Sequence, residues 1–249
     1  MRSASLRYAA LNPGKGGGAQ TPVSVLGAAL KGWWSSDNPA RTTVSGVSVT
    51  AWADEVAGYV VNPGTSSTRP AVSDAGFGGA RAIQFDGVDD YLNMFAPTTF
   101  PAGGSASEIW LIGQNTALVT DAGARVGASY GDGVFSSDRR LRRNTSTTNI
   151  LQATSGNISV AGGGAALTTR HVLRAIFGVS SIAVEVDNLS RDTAAATLST
   201  NRNQFAIGAI PNGSLQFWQG LIRDVLVTDP LTAEQAAWLY QWALPRRNL

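Results

Sequence analysis

The chain reads as an all-β sandwich, and three features carry that expectation. Apolar residues alternate with period two, most clearly where Ile182, Val184 and Val186 fall on one side of an extended run and Ala183, Glu185 and Asp187 on the other. Runs of this kind are short and separated by turn chemistry, with 28 glycines among 249 residues. Finally, Phe85-Asp86-Gly87-Val88-Asp89-Asp90-Tyr91-Leu92 reads as a strand, a tight acidic turn and the next strand. Ile83 and Phe85 alternate with polar neighbours, while Asp86-Gly87 supplies an Asx side chain and a residue tolerant of positive φ.

Taken in order, residues 1–30 form an N-terminal arm, because Asn12-Pro13-Gly14-Lys15-Gly16-Gly17-Gly18 cannot pack a core. Val23, Val25 and Leu26 give the rest of the arm something to dock with, so the arm reads either as a flexible leader or as an anchor that orders only against a partner. Residues 31–249 form one domain, with strands expected near 47–53, 82–86, 90–95, 106–113, 170–178, 181–187, 203–209 and 216–228. Val179-Ser180 joins two of these as a hairpin. A short helix is expected near 232–244. Thr232 and Gln235 make a capping box, Leu231 and Ala236 a weak staple, and Pro245 a stop. Trp238 and Trp242 lie four apart on one helical face, spaced for packing against the sandwich.

Composition narrows the partners. Hydrophobic content of 43% is ample for a core, and a net charge of only +2 argues against nucleic acid as the main partner. Arginine outnumbers lysine 17 to 2, a bias attributable to a GC-rich genome. Without cysteine there are no disulfides, and with a single histidine a conventional zinc site is excluded. No signal peptide and no membrane insertion are expected, and synthesis in a cytoplasm follows.

Several segments together resemble the laminin-G-like, concanavalin-A-like jelly-roll domains. They are the Phe85–Leu92 stretch, Gly32-Trp33-Trp34-Ser35-Ser36-Asp37, Val47-Ser48-Val49-Thr50-Ala51-Trp52-Ala53-Asp54, and the closing run Phe217-Trp218-Gln219-Gly220-Leu221-Ile222-Arg223-Asp224-Val225-Leu226-Val227. Thr68-Arg69-Pro70 resembles the Arg-Pro of phage-encoded members. The resemblance runs from about Lys31 to Leu244 and implies a recognition scaffold and not an enzyme. Its implied setting is a phage or phage-like virion surface, where the domain would bind a host-surface polysaccharide or glycan. Multiple copies or a homo-oligomer, and contact with other virion proteins through the arm, belong to the same expectation. The alternative from another class is a purely structural virion subunit contacting capsid or tail proteins, and behind it a glycoside hydrolase.

Candidate site residues follow from chemistry. Glu185-Val186-Asp187-Asn188-Leu189-Ser190 is similar to the E-x-D-x-x-E strand of laminarinase-type glucanases. Ser190 stands where a second carboxyl is needed, so no catalytic residue is assigned. His171 sits in an alternating run without a nucleophile elbow and reads as an ordinary strand histidine. Asp86, Asp89 and Asp90 could hold calcium or simply close a turn, with the turn favoured. Asp138-Arg139-Arg140-Leu141-Arg142-Arg143-Asn144 is either a solvated strand edge or a grip for an acidic partner. Tyr130, Asp132, Arg139 and Arg142 are the expected ligand-binding residues, on loops that leave planar and charged groups free.

Overall fold

A computed structural model describes residues 20–116, 124–133, 137–144, 150–155, 158–162 and 168–248. Its strands are β1 (Leu30–Ser35), β2 (Thr42–Ser45), β3 (Ser48–Ala53), β4 (Val60–Val61), β5 (Ala71–Phe77), β6 (Ala80–Asp86), β7 (Leu92–Phe95), β8 (Ser107–Asn115) and β9 (Arg125–Gly131). They continue as β10 (Arg139–Asn144), β11 (Ile150–Ser155), β12 (Ile158–Gly162), β13 (His171–Phe177), β14 (Ser181–Val186), β15 (Leu189–Ala195), β16 (Gln204–Ile207) and β17 (Gln219–Thr228). Helices α1 (Pro22–Leu26) and α2 (Ala233–Asn248) flank them.

Among the described residues the strands form two antiparallel sheets, confirming the all-β sandwich. The larger has 11 strands in the order β15-β14-β13-β8-β17-β6-β5-β3-β2, with β1 beside β17 and β4 beside β3. The smaller has six, ordered β12-β11-β10-β9-β16-β7. Strand β17 is the axis of the large sheet: β8 lines one side, while β6 and then β1 share the other.

Two apolar layers account for the patterning. Trp34, Trp52, Phe85, Phe205 and Trp218 fill the space between the sheets, with Trp34 stacked on Phe205 at 4.6 Å. On the outer face of the large sheet, Trp110, Ile112, Val172 and Leu226 meet Leu239 and Ala243 of α2. Strand β8 is therefore buried on both faces, Ile109 and Leu111 inward, Trp110 and Ile112 outward, and reads as a continuous apolar run.

Each expected strand is present. The sequence does not single out several others, β9 to β12 among them: in β9 the alternation of Val126, Ala128 and Tyr130 is diluted by Gly127 and Gly131, and β10 is almost wholly polar. In Arg139–Asn144 only Leu141 is apolar. The Phe85–Leu92 segment is not a hairpin between neighbours: it carries the chain from β6 in the large sheet to β7 in the small one. Gly87 turns there at φ 81°, and a Cβ would come within 2.6 Å of Gln219.

The arm divides. Residues 1–19, with the glycine run, lie outside the described residues, but residues 20–30 are docked on the domain. A reciprocal Thr21–Ser24 cap starts α1, Leu26 and Leu30 are buried in the outer layer, and Gln20 Oε1 accepts from Trp238 Nε1 at 3.1 Å.

At the C-terminus the Thr232/Gln235 capping box forms, with both reciprocal bonds at 3.1–3.2 Å. Leu239 and Ala243 are the buried face, whereas Trp238 and Trp242 are only partly covered. Pro245 does not stop the helix, which runs to Asn248. An interior proline costs about 3 kcal/mol, and the turn beyond it is held by Arg246. That guanidinium grips Asp224 through Nε–Oδ2 at 2.9 Å and Nη2–Oδ1 at 2.8 Å, reaches Asp37 Oδ2 at 2.8 Å, and lies 4.4 Å over the Trp242 ring.

Replacing Arg246 by Met should therefore strand the fully buried Asp224 and cost about 3–5 kcal/mol. Urea unfolding measures the loss, and amide exchange should show the turn after Pro245 fraying first. An Asp224→Asn/Arg246→Met double variant should recover part of the stability. A wild-type midpoint for Arg246→Met would refute the anchor.

Candidate functional site

The four expected ligand residues do not form one site. Tyr130 and Arg139 sit opposite one another across β9 and β10 and point into the core, both with no exposed surface. Tyr130 hydroxyl bonds Ser107 Oγ at 2.8 Å. Arg139 donates to Thr200 Oγ1 at 2.9 Å, Ser107 Oγ at 2.5 Å and Ser105 O at 2.6 Å, with its guanidinium 5.5 Å over the Tyr130 ring. Burial pushes the Arg139 pKa down, and neutral acceptors satisfy it. Neither side chain has a face left for a sugar. Asp132 ties its loop to Ser137 and, at 3.0 Å, to Asn201. Arg142 stays partly exposed, bonding Gln152 and Ser159 at 3.1 Å, and burial followed by nearby Arg140 brings its pKa to about 10.

Elsewhere, residues that sequence treated separately converge. His171 opens β13, and Asp187 occupies the β14–β15 turn, where Asp187 and Asn188 both have positive φ (51° and 59°) as a type I′ turn requires. That geometry swings Asp187 Oδ2 to 2.7 Å from His171 Nδ1, while Oδ1 accepts Val172 N–H at 2.9 Å and pairs with Arg247 at 2.8 Å. Burial works to raise the Asp187 carboxyl, but these hydrogen bonds outweigh it and hold its pKa below the ordinary range. Across the ring, Thr169 Oγ1 lies 2.8 Å from His171 Nε2. Thr169, Arg170, His171, Asp187 and Arg247 line a polar pocket of about 520 Å³. The helix is fastened to the same turn, Tyr240 donating to Asp187 O at 2.6 Å. Glu185 is committed elsewhere, at 2.8 Å from Arg174, so it does not share a site with Asp187. The Ser190 side chain lies outside the described residues.

A second, smaller cleft of about 270 Å³ opens on the other side of the helix end, lined by Trp33, Ser35, Asp37, Asn38, Pro39, Glu55 and Arg246. Successive residues of α2 thus serve the two openings: Arg246 faces one and Arg247 the other. Neither opening is legible in the sequence. Both depend on α2 continuing beyond Pro245, and no local sequence signal announces that.

Asp86, Asp89 and Asp90 bring carboxylate oxygens within 4.8 Å of one another, a spacing a hard cation could bridge. The same groups close the turn. Asp86 Oδ1 accepts Val88 N–H at 2.8 Å, and Asp90 Oδ2 accepts Asp86 N–H at 2.9 Å. Burial raises the Asp90 pKa to about 6, with nearby Asp86 and Asp89 adding to the effect. A carboxyl raised in the fold binds its proton there more tightly than in the unfolded chain. Its share of stability is therefore full below the ordinary value of 3.8 and lost as pH rises through about 6. Asp90→Asn should remove that slope. Urea unfolding from pH 4 to 7 should show the variant gaining on wild type as pH rises, whereas parallel curves would contradict the assignment.

No family model matches the chain, and no curated protein does. Solved structures match it in fold. Domain 4 of AbnA, an extracellular arabinanase from Geobacillus stearothermophilus in complex with arabinotriose, aligns at 15% identity with TM-score 0.57 over 85% of this chain and 98% of that one. An arabinofuranosidase complexed with arabinofuranosyl-alpha-1,2-xylobiose aligns at 12% identity and TM-score 0.62, over 80% of this chain and 51% of that one. Trypanosoma rangeli sialidase with 2,3-difluorosialic acid aligns at 14% identity and TM-score 0.61 over 93% of this chain, which spans only 35% of the sialidase. At such identities the shared property is the fold, a β-sandwich that also occurs in glycoside hydrolases and sialidases.

Proposed function

We propose that the protein is a recognition module that binds a glycan and does not cleave it. The observation carrying this reading is the polar pocket of Thr169, Arg170, His171, Asp187 and Arg247. Its donors are fixed before any ligand arrives, because His171 is engaged at both ring nitrogens and Arg247 is tied to the Asp187 turn. Pre-fixed hydroxyl and guanidinium groups recognise oxygen-rich ligands at low ordering cost, and guanidiniums favour a sugar bearing a carboxylate. The neighbouring fold of an arabinanase domain complexed with arabinotriose supports the class of ligand. Cleavage of a glycosidic bond by two carboxyls lacks support, since Glu185 and Asp187 are held by different cations. The setting proposed for this module, in many copies on a phage or phage-like particle, rests on the resemblance of its sequence segments to phage-encoded members. Detection of the chain in purified particles tests that setting.

A second reading is hydrolytic. Thr169, His171 and Asp187 stand in line as hydroxyl, imidazole and carboxylate at 2.8 and 2.7 Å, the arrangement that activates a nucleophile for acyl transfer.

One set of experiments separates the two. Titration of a glycan panel should find a ligand whose affinity drops at least tenfold in Arg170→Ala, with melting temperature little changed. Fluorophosphonate treatment should leave Thr169 unlabelled. Labelling of Thr169 that disappears in His171→Ala would replace recognition by acyl transfer, and a panel without any binder would sink the glycan reading.

A further inference from the structure

Glu55, which lines the cleft beside Arg246, carries a carboxylate oxygen that the fold does not satisfy. Glu55 follows β3, and its backbone N–H donates to Trp33 O at 2.7 Å, which fixes the residue against the cleft wall. Its side chain is 13% exposed. Oε2 accepts Asn38 Nδ2 at 3.2 Å and faces Arg41 Nε at 3.5 Å, but Oε1 is buried with no hydrogen-bond partner. A buried acceptor left this way is costly, and each such group calls for an explanation. The terminal torsion of Glu is broad, so the carboxylate can turn Oε1 toward the opening when a donor is offered there.

The surroundings define that donor. Trp33 forms one wall, held rigidly by its indole N–H on Asp224 Oδ1 at 3.1 Å and by an edge contact to Trp242 at 5.5 Å and 84°. A locked, partly exposed indole beside carboxylate and amide groups suits the apolar face and hydroxyl rim of a sugar ring. Charge is already balanced: Asp37, Glu55 and Asp224 face Arg41, Arg223 and Arg246, and the contacts run among themselves. A charged ligand would find no unmatched partner, so the site selects a neutral one. At about 270 Å³ the cleft falls just under the roughly 300–1,000 Å³ of drug-sized ligand sites, room for one ring and not a chain.

We infer that this cleft is a subsite for a single neutral sugar residue, stacked on Trp33 and donating hydroxyls to Glu55, with Asp37 and Asn38 at its rim. The inference rests on the glycan reading above and extends it across the helix end: an acidic residue on the Arg247 side, a neutral one on the Arg246 side.

The test follows the Trp33 indole N–H resonance, assigned through Trp33→Phe, during titration with neutral trisaccharides such as arabinotriose, xylotriose and maltotriose. The subsite is supported if one of them shifts this resonance, if Glu55→Gln weakens the effect at least tenfold without lowering the melting temperature, and if Arg170→Ala leaves it intact. A Trp33 resonance unmoved by every neutral sugar, or a shift that survives Glu55→Gln, overturns the subsite. If acidic glycans still bind and Arg170→Ala abolishes that binding, the recognition reading stands without it. Failure of neutral and acidic sugars alike overturns both.

Discussion

The ion pair between Asp224 and Arg246 holds this structure in its working shape. Asp224 exists on the outer face because β17 bulges: the register against β8 slips between Ile222 and Asp224, so Arg223 and Asp224 fall consecutively between the inward-facing Ile222 and Val225. A carboxylate with no exposed surface must be matched, and Arg246 matches it from the last turn of α2, with Trp33 N–H adding a third donor. Arg223 completes the arrangement with a two-point grip on Asp37 at 2.9–3.0 Å. One irregularity in the central strand thus fixes where the helix ends and what flanks it.

A matching anchor acts where α2 begins. Glu108, nearly fully buried, receives Arg174 through two bonds at 2.7 and 3.0 Å, Trp110 Nε1 at 2.8 Å, and the Leu231 backbone N–H at 3.1 Å. The helix is therefore fastened at both ends by carboxylates of the large sheet, with Leu239 and Ala243 packed between. This rigidity suits recognition. Apart from Glu55 Oε1, the polar groups named at the two openings are held by contacts made within the protein, so a ligand need not order them. It also explains why the Trp-rich face of α2 is only partly covered: charge and small apolar residues do much of the fastening, and Trp242 is left to carry Arg246 on its ring.

Alternation and capping are legible in the sequence, whereas the surroundings of its charges are not. By sequence the Asp138–Asn144 run reads as a solvated edge or a grip for a partner, yet Arg139, Arg140 and Arg143 are fully buried. Charged residues are ordinarily exposed, and only tertiary partners reverse that. For Arg139 these partners come from residues 103–107 and Thr200, far along the chain. In the sequence His171 belongs to an alternating strand and Asp187 to a polar turn, with nothing to join them. Their pairing needs the 13–14 register and the positive-φ turn at the same time.

What the sequence alone determined is the class of fold, the principal strands, the capped start of the final helix and the absence of thiol chemistry. These are properties of neighbouring residues, set by period, turn propensity and composition. Tertiary structure decided that the Asp86–Asp90 turn changes sheets, that Tyr130 and Arg139 belong to the core, and that α2 passes through Pro245 to divide two clefts. Each of these depends on groups meeting others distant in sequence, as Arg139 meets Thr200 and Ser107 and Arg246 meets Asp224. Local pattern records that a residue is charged or aromatic, but the free energy of burying it depends on what the fold places beside it.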